Sequence, residues 1–536
     1  PRIKGKTTDV SKEKTIIEKG VFTTCKKTDK CPPWQFSAKK ITHNKKKQTI
    51  SYKDALLKIY DVPVFYFPKF FHPDPTVKRQ SGFLTPSFIS SNSTGGAFGL
   101  PYFHVISDSK DLTFSPRFYS KNKTLLQSEY RSINAKSTQS IDFSLLNEEK
   151  LPSKQHFFSN TVRNLDLNNF DQSILKLQLQ HSSNDTYLKK YKIKSPLITS
   201  PTTLTSTLGF IATRKDLIME AEFVAYETLN VEKDSDKFEY IYPNYKISKN
   251  IDSNLLTLGN INLSSSGYIK NYNTNIFERV MVNDFIYSSY AKFTNNGLKY
   301  NFNLLVKNLT TDSKNSKKYE KKLDNKIASL IEYKSSFPLQ KKTNDYINLF
   351  KPTFSARYSP NNSKNMRDEN VRIDVNNIFS LNRIGSNESI EGGASLSFGT
   401  EFSKTDFTER EIFKAKIANV LRFKEDKNLP INSSLGKKTS DIVGSINYNP
   451  IELIKIDYEF SQNENLKDTN YQLFKNEIKV NNFISTFEYF NENNTLEKKS
   501  YISNKTVYNF NDTKSIAFEG RENKKTKAVE FYNLMY

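Results

Sequence analysis

Apolar and polar residues alternate along most of the chain from about residue 81 onward. Successive side chains of a β-strand point to opposite faces, so this period of two predicts strands with one apolar and one polar face. Leu298, Tyr300 and Phe302 share one parity, while Lys299 and Asn301 occupy the other. The same period recurs in three further segments, at Leu112, Phe114 and Phe118; Ala394, Leu396, Phe398 and Phe402; and Ile454, Ile456, Tyr458 and Phe460.

Segments of this kind number about 23, and at about 10 residues each plus turns they fill residues 81–536. Their apolar parity is rich in Phe and Tyr, which is typical of a lipid-facing band with aromatic girdles. Long polar insertions such as Asn361 to Asn370 are typical of extracellular loops. The pattern favours a large antiparallel transmembrane β-barrel, although a soluble β-solenoid or an array of sandwiches alternates in the same way.

Overall hydrophobicity is low, with 36% hydrophobic residues and a mean hydropathy of −0.64. No apolar run approaches the roughly 18 residues that a membrane-spanning helix needs, which excludes a helical membrane protein. A barrel strand needs apolar residues only at every second position, so a hydrophilic average is compatible with a barrel.

The first 67 residues differ from the rest and contain short strand candidates such as Trp34 to Ile41 and Thr49 to Tyr60. A proline-rich hinge follows over residues 68–80, with prolines at positions 68, 73 and 75. Proline removes a backbone donor and favours extended or turn backbone, so we expect no regular element to cross this stretch.

The chain is basic, with 80 Lys and Arg against 57 Asp and Glu and a formal charge of +23. Such an excess suits a polyanion, either nucleic acid or the phosphates of a lipid headgroup. A general bias of the sequence toward Asn, Lys and Ile explains the charge equally well. A nucleic-acid binder would carry its aromatic residues among the basic ones on one face. Here they lie opposite, so we expect no nucleic-acid partner.

The candidates for bond chemistry are few. Cys25 and Cys31 lie close together, and they allow a short disulfide, a free pair or half of a metal site, but no second cysteine pair completes a zinc ligand set. We favour disulfide use, because an exported protein meets an oxidising compartment. The five histidines are scattered, and no nucleophile elbow, phosphate loop or dinucleotide fingerprint occurs. We therefore expect no enzyme activity, cofactor or metal.

Residues 20–135 resemble the junction between the periplasmic domain and the barrel of the LptD (OstA/Imp) family of LPS-assembly proteins. The resemblance in order and spacing rests on GVFTTC, PPWQFSAKKITH, YKDALLKIYDVPVFYFPKFFHPDPTVKRQSGFLTP, GLPYFHVI, DLTFSPRFYS and LLQSEYR. Further along, LFKPTFSARYSP and NIFSLNRIGSNESIEGGASLSFG resemble the distal barrel motif of the same family.

The resemblance implies an all-β chain: the C-terminal part of a periplasmic β-jellyroll over residues 1–67, then a barrel over residues 81–536 whose last strands are missing. It also implies an outer-membrane translocon that receives lipopolysaccharide from an LptA-like periplasmic bridge, holds an LptE-like lipoprotein plug and contacts outer-membrane lipids. A large porin or nutrient transporter is the alternative. A plugged transporter would carry a globular domain before the barrel, whereas the preceding segment here is short, strand-rich and basic.

Three sets of site residues follow from the resemblance. Candidates for lining an acyl-chain groove are Phe36, Ala38, Ile50, Tyr52, Leu57 and Ile59, for which pattern alone favours core packing equally. Pro86 and Pro101 fall at the lateral gate of the family, and their other interpretation is a strand end or bulge. The long-range disulfides of the family use cysteines near the C-terminus, beyond this chain, so a local Cys25–Cys31 pair stays open. The chain begins with Pro1 and ends in the strand-like AVEFYNLMY. We therefore expect a fragment lacking the start and the end of the family's chain.

Overall fold

The computed structural model describes residues 2–536 except 24–32, 75, 78, 91–93, 121, 150, 199, 201, 230, 232–235, 253–258, 274, 494–497 and 512–513. Antiparallel strands make up most of it. Helical elements of the described residues include one short helix, α1 (Tyr187–Lys190), and a 3-10 turn at Ile431–Ser433. None of the helices in the described part is long and apolar enough to cross a bilayer.

A six-stranded antiparallel sheet forms the N-terminal part, which we call the first sheet. Its strands run in the order β1-β3-β4-β5-β6, with β2 paired to β3. Their bounds are β1 (Arg2–Lys4), β2 (Thr7–Val10), β3 (Lys14–Thr23), β4 (Trp34–Asn44), β5 (Thr49–Ile59) and β6 (Val62–Pro73).

Strand β6 continues through Pro68 to Pro73, so the prediction that no regular element crosses the proline-rich stretch is wrong up to Pro73. Two features explain why prolines are tolerated there. In the described part of this sheet β6 is an edge strand that pairs with β5, and an edge strand needs donors on one side. Pro68 is also left out of the register pairs, which pass from Phe67 to Lys69.

Pro68 belongs to a line of irregular residues that crosses the first sheet. Lys19, Lys39, Asp54 and Pro68, one on each of strands β3 to β6, are all skipped by the register pairs. Lys19 and Asp54 adopt positive φ values of 49° and 51°. At this line each of the four strands contains one extra residue, so the alternation of inward and outward side chains shifts by one position. Buried residues on the two sides of the line are therefore three positions apart instead of two, as Tyr52 and Ala55 are.

The whole chain divides into two compact units, and the first sheet belongs to the first of them. The first unit comprises residues 1–165, 175–207 and 227–231, and the second comprises residues 166–174, 208–226 and 232–536. The further strands that lie wholly in the first unit are β7 (Gly82–Phe83), β8 (Ser87–Ile89), β9 (Ala97–Gly99), β10 (Tyr102–Ser107), β11 (Lys110–Tyr119), β12 (Lys123–Asn134), β13 (Ser137–Glu148) and β14 (Leu151–Asn164). Strands with residues in both units are β15 (Gln172–Ser182), β16 (Thr203–Arg214) and β17 (Leu217–Thr228).

Strands of the second unit pair antiparallel with their neighbours in chain order. They are β18 (Phe238–Asp252), β19 (Gly259–Tyr272), β20 (Ile276–Ser289), β21 (Lys292–Phe293), β22 (Lys299–Lys314), β23 (Asp324–Ser336), β24 (Leu339–Lys342), β25 (Tyr346–Ser359), β26 (Gly393–Asp406), β27 (Glu411–Arg422), β28 (Ile442–Ile451), β29 (Ile454–Gln462), β30 (Thr469–Val480), β31 (Phe483–Asn493), β32 (Lys498–Asn511), β33 (Lys514–Asn523) and β34 (Ala528–Met535).

The predicted alternation is confirmed in these strands. In β22, Phe302 is 47% exposed on one face, while Leu305, Lys307 and Leu309 are buried on the other. In β26, Phe398 is exposed and Ser395 and Ser397 are buried. The strand positions with mainly polar residues therefore form the covered face of the second unit. The alternate positions, which are rich in aromatic residues, form its exposed face. The fold is all-β, as predicted.

The covered face of the second unit is filled by chain that leaves the sheet between β25 and β26. The polar insertion Asn361 to Asn370 is mostly exposed, but the residues after it turn back and pack on the strands. Met366, Ile373, Ile378 and Ile384 join Val420 and Val443 of the wall in one buried cluster. We call residues 360–392 the packed segment; its second half, beyond the insertion 361–370 that sequence reasoning interpreted as typical of an extracellular loop, is part of the core.

Candidate functional sites

One face of the first sheet is an aromatic and aliphatic surface, which we call the aromatic face. Directly opposed residues of an antiparallel sheet share a face, so the register defines its layers. The layers are Phe22, Phe36, Leu57 and Phe65; Gly20, Ala38, Ala55 and Phe67; Ile17, Ile41, Tyr52 and Phe70; and Thr15, His43, Ile50 and His72.

The sheet curls tightly about this face. The Phe22 ring on β3 lies 4.8 Å from the His72 ring on β6, two strands beyond its neighbour, and the Phe36 and Phe70 rings lie 5.0 Å apart across β5. Three of the four residues in one layer, Gly20, Ala38 and Ala55, have small side chains or none, which leaves room for this curvature. A Cβ at Gly20 would lie 2.6 Å from Cδ1 of Ile41, a distance that real Cβ atoms do not adopt.

The six predicted groove residues all lie on the aromatic face, but their exposure divides them. Ala38, Ile50 and Tyr52 are 5%, 2% and 3% exposed and act as core in this structure. Phe36 and Leu57 are half-buried, and Ile59 is 44% exposed at the end where Phe65 is also uncovered. The Phe65 end is thus the place where the aromatic face is open to a ligand. Groove lining itself stays a prediction.

The opposite end of the aromatic face is closed by polar side chains that sequence reasoning assigned no role. His72 Nδ1 donates to the Pro73 carbonyl at 2.6 Å, so Nε2 accepts from the Tyr52 hydroxyl at 2.7 Å. Burial raises the pKa of Tyr52. Asp74 accepts two hydrogen bonds from Thr76, each 2.9 Å, and lies 2.5 Å from His43. The backbone bond from Thr76 holds the pKa of Asp74 below its usual range, and the Thr76 hydroxyl and His43 lower it further.

Pro86 and Pro101 lie at breaks in the first two strands after the first sheet. Strands β9 and β10 both pair with β11, so they are two halves of one strand, interrupted at Leu100 and Pro101. Strands β7 and β8 pair with β10 and β9 and are interrupted at residues 84–86. Three residues therefore face two between the pairs Phe83–Tyr102 and Ser87–Gly99, which is a bulge.

A buried charge cluster anchors the packed segment and was not foreseen, although two of its members lie in the motif that resembles the family. Arg383 binds both carboxylate oxygens of Glu391, and Arg422 also donates to Glu391. Arg357 lies 3.8 Å from Glu391 and donates to the Ser380 carbonyl at 3.0 Å. All four side chains are at least nine-tenths buried. Arg357 and Arg422 come from strands β25 and β27, so the cluster ties the segment to the wall.

A second packed stretch lies in the first unit, around α1. Tyr187 contacts the Ser144 hydroxyl at 2.7 Å, and that hydroxyl lies 2.5 Å from His156 Nδ1. His156 Nε2 lies 3.3 Å from Asp142 without hydrogen-bond alignment. Ser, His and Asp are the residue types of a hydrolytic triad, but all three are 0% exposed here and substrate has no access. Their role in this fold is to hold α1 against strands β13 and β14.

The exposed face of the second unit is apolar and aromatic. Phe350, Phe398, Ile417, Tyr448 and Phe518 are each about two-fifths or more exposed. A large apolar area of this kind marks a surface that contacts lipid or another protein. Cys25 and Cys31 lie outside the described residues. Within the residues that the structure describes, no group of His, Cys, Asp and Glu is arranged to hold a metal.

Comparison with known proteins agrees with this architecture. A family model described as LPS transport system D matches residues 154–517, more than half of the chain, and one described as LptD protein matches residues 50–193. LPS-assembly protein LptD of Coxiella burnetii is 34% identical over 135 residues, which cover 25% of this chain and 15% of that protein. The corresponding protein of Sodalis glossinidius is 31% identical over 142 residues, covering 26% and 18%. That of Legionella pneumophila is 29% identical over 200 residues, covering 34% and 23%.

The matched stretches span less than a quarter of the length of these relatives. Among solved structures, the ferric preacinetobactin receptor BauA of Acinetobacter baumannii covers 94% of this chain and 84% of its own, with 8% identity and a TM-score of 0.26, too low to establish a shared fold. The family model over residues 154–517, together with the all-β fold, is decisive. The chain belongs to the LptD family of LPS-assembly proteins.

Proposed function

We propose that this chain is part of an outer-membrane translocon that receives lipopolysaccharide on its first sheet and releases it sideways into the outer leaflet. The observation that carries the proposal is the order of two features along the chain. The aromatic face ends with β6 at Pro73, and the broken strands begin with β7 at Gly82. The proposed ligand surface for acyl chains is thus followed directly by the shortest strand pairing in the described part of the first unit, the two pairs between β7 and β10.

The chemistry of the two parts suits the two halves of an amphiphile. Acyl chains are stabilised by apolar surface, which the open end of the aromatic face offers at Phe65 and Ile59. Sugars and phosphates need polar groups, which the covered face of the second unit offers. A cavity of about 510 Å³ there is lined by Lys299, Lys334, Lys351 and Lys416 together with Glu332 and Glu401.

Lateral release requires that two neighbouring strands of the sheet separate from each other. Lipopolysaccharide cannot pass sideways through an intact ladder of backbone hydrogen bonds, because its sugars must leave a polar path while its acyl chains stay in hydrocarbon. Pro86 and Pro101 each lack a backbone N–H, and both lie where the strands are already broken. We assign the lateral gate to this place.

The partners and location follow from family membership as part of the same proposal. The first sheet would lie in the periplasm and continue a bridge of LptA-like proteins, and an LptE-like lipoprotein would plug the barrel in the outer membrane. No bond is made or broken in this function. The rival function, a large porin or nutrient transporter, needs an open pore or a dedicated plug domain. The packed segment filling the covered face of the second unit favours the translocon.

The test is depletion of the protein in its native bacterium, followed by labelling of cell-surface lipopolysaccharide. The translocon proposal expects surface lipopolysaccharide to fall while it accumulates inside, before general nutrient uptake changes. Normal surface lipopolysaccharide with impaired uptake of a small solute would replace the proposal by the porin function.

A further inference from the structure

Three lysines stand side by side on the face of the first sheet that is opposite to the aromatic face. Lys40 on β4 is directly opposed to Lys53 on β5, which is directly opposed to Lys69 on β6. All three are exposed. Each lies next to a residue of the irregular line, on the side where Ile41, Tyr52 and Phe70 point inward. We call these three residues the lysine row.

The lysine row is unfavourable for the fold by itself. Directly opposed residues have Cβ atoms about 5 Å apart, and like charges at this spacing destabilise the pairing of two strands. Among the described residues, none of the three lysines has an ion pair or a side-chain hydrogen bond. Glu18, opposed to Lys40, accepts a hydrogen bond from Thr7 at 3.2 Å, and Asp54 accepts one from Tyr66 at 3.0 Å. Two carboxylates thus flank the row without pairing to it.

Exposed aromatic side chains border the row on strand β6. Phe71, 67% exposed, is opposed to Ser51, and Tyr66, 53% exposed, is opposed to Leu56. Both lie on the same face as Lys69. Lysines beside exposed aromatic rings are the combination found where proteins meet the headgroup region of a membrane, since the cations bind phosphate and the rings enter the interface.

The position of the row along the chain identifies the membrane that it can reach. Lys69 precedes Gly82, the first residue of β7, by 13 positions. Even fully extended, such a linker spans no more than about 45 Å, so the row stays close to the bilayer from which the following strands emerge.

We propose that the lysine row, with Phe71 and Tyr66, docks the first sheet on the anionic phospholipid headgroups of that bilayer. Docking would hold the aromatic face at a constant height and angle next to the broken strands. The inference rests on the proposed function, because that function places the later strands in a membrane. It adds a lipid contact on the outer side of the sheet, distinct from the ligand surface inside it.

The test uses the whole chain in nanodiscs of phosphatidylcholine, with or without phosphatidylglycerol, treated with an amine-acylating reagent and analysed by mass spectrometry. We expect Lys40, Lys53 and Lys69 to react several-fold more slowly when phosphatidylglycerol is present, and high salt to remove the protection. Lys4 and Lys6, exposed in and just after β1 at the edge of the sheet away from β6, should react equally in both and are the internal control.

A second readout follows the depth of Phe71. In the Trp34→Phe, Phe71→Trp variant, fluorescence should be quenched by brominated phosphatidylglycerol. Replacing the three lysines of the row by Gln should weaken docking on the order of 100-fold and abolish the quenching. The matched control replaces Lys4, Lys6 and Lys19, exposed residues on the β1 and β3 side of the sheet, by Gln with the same loss of charge, and should leave the quenching intact.

Lys53→Glu separates docking from a purely structural role, because it alternates the charges of the row. The variant should increase the stability of the sheet and still reduce quenching. Equal acylation of the row in the two kinds of nanodisc, or quenching unchanged in the Gln triple variant, would overturn the proposal. Crosslinking of the row to another protein instead of lipid would also overturn it. Nanodiscs contain no lipopolysaccharide, so the result is independent of the depletion experiment.

Discussion

Arg383 donates two hydrogen bonds to the carboxylate of Glu391, from Nε to Oε2 at 2.8 Å and from Nη2 to Oε1 at 2.5 Å. The same guanidinium reaches Ser395 and Ser397 of β26, each at 2.7 Å. One ion pair therefore closes the end of the packed segment and fastens it to the wall. Arg383 and Glu391 both belong to the motif NIFSLNRIGSNESIEGGASLSFG, so the pair gives that motif a physical meaning.

Replacing Glu391 by Gln should strongly destabilise the packed segment. The change leaves three buried arginines without their carboxylate, and loss of one partner of a buried pair costs about 3–5 kcal/mol. We expect earlier thermal unfolding and rapid proteolysis within residues 360–392. Glu401→Gln is the control, since Glu401 is half-buried and lies 4.0 Å from Lys351 and 3.8 Å from Lys414, long pairs worth under about 1 kcal/mol each. Similar behaviour of the two variants would refute the anchoring role of Glu391.

Replacing Pro86 and Pro101 by Ala should slow lipopolysaccharide delivery. The Pro101 carbonyl accepts a hydrogen bond from the Leu84 N–H at 2.8 Å. An antiparallel pair of this kind normally exchanges two such bonds, but Pro101 has no N–H to donate the second one. Each restored bond contributes on the order of 1 kcal/mol, so two make local opening roughly 30-fold rarer if they add. The measurement is the rate of surface appearance of lipopolysaccharide, with barrel folding as the control. A double variant that folds and exports at the parental rate would show that the gate lies elsewhere.

The open end of the aromatic face should contact lipopolysaccharide, while its middle should not. A photo-crosslinking amino acid at Leu57 or Ile59 should form a lipopolysaccharide adduct in cells, because these side chains are half-buried or exposed. The same group at Ser51, on the opposite face, is the control and should form none. Phe36→Ala should lower the stability of the sheet by less than the roughly 3–5 kcal/mol of a fully buried Phe, because Phe36 is half-buried. Adducts at position 51 but not at 57 or 59 would contradict groove lining.

Asp74 should stabilise the first sheet only above acidic pH. Its folded pKa is lowered, chiefly by the backbone hydrogen bond from Thr76, so its contribution is complete above the unfolded pKa near about 4 and is lost as the pH falls through the lower folded value. Asp74→Asn should therefore destabilise the sheet at neutral pH, with a penalty that shrinks below about pH 4. Trp34, the one tryptophan of the chain, lies in β4 and reports unfolding of this sheet. A penalty independent of pH would show that the charge of Asp74 is irrelevant.

The sequence by itself determined the alternation of the strands and which parity faces outward. Side-chain direction along a strand depends only on the local period of two, so Phe302 and Phe398 were placed on the correct face without knowledge of their neighbours. The family could also be recognised from the sequence. The motifs of residues 20–135 and of the Arg383–Glu391 stretch are continuous segments of the chain, so they can be identified without knowing how the chain folds.

Only the tertiary structure decided how these faces are assembled. Even-numbered Ile50 and Tyr52 and odd-numbered Ala55 and Leu57 lie on the same face of β5. They do so because Asp54, with its positive φ, shifts the alternation of side chains by one position, which a period of two does not predict. Strand β6 passes Pro68 because that residue falls on the irregular line. The anchoring of Glu391 required Arg357 and Arg422, whose side chains converge on it from separate strands. Convergence of this kind depends on which strands lie two places apart in the sheet and on where the chain folds back onto them, and a local period of two specifies neither.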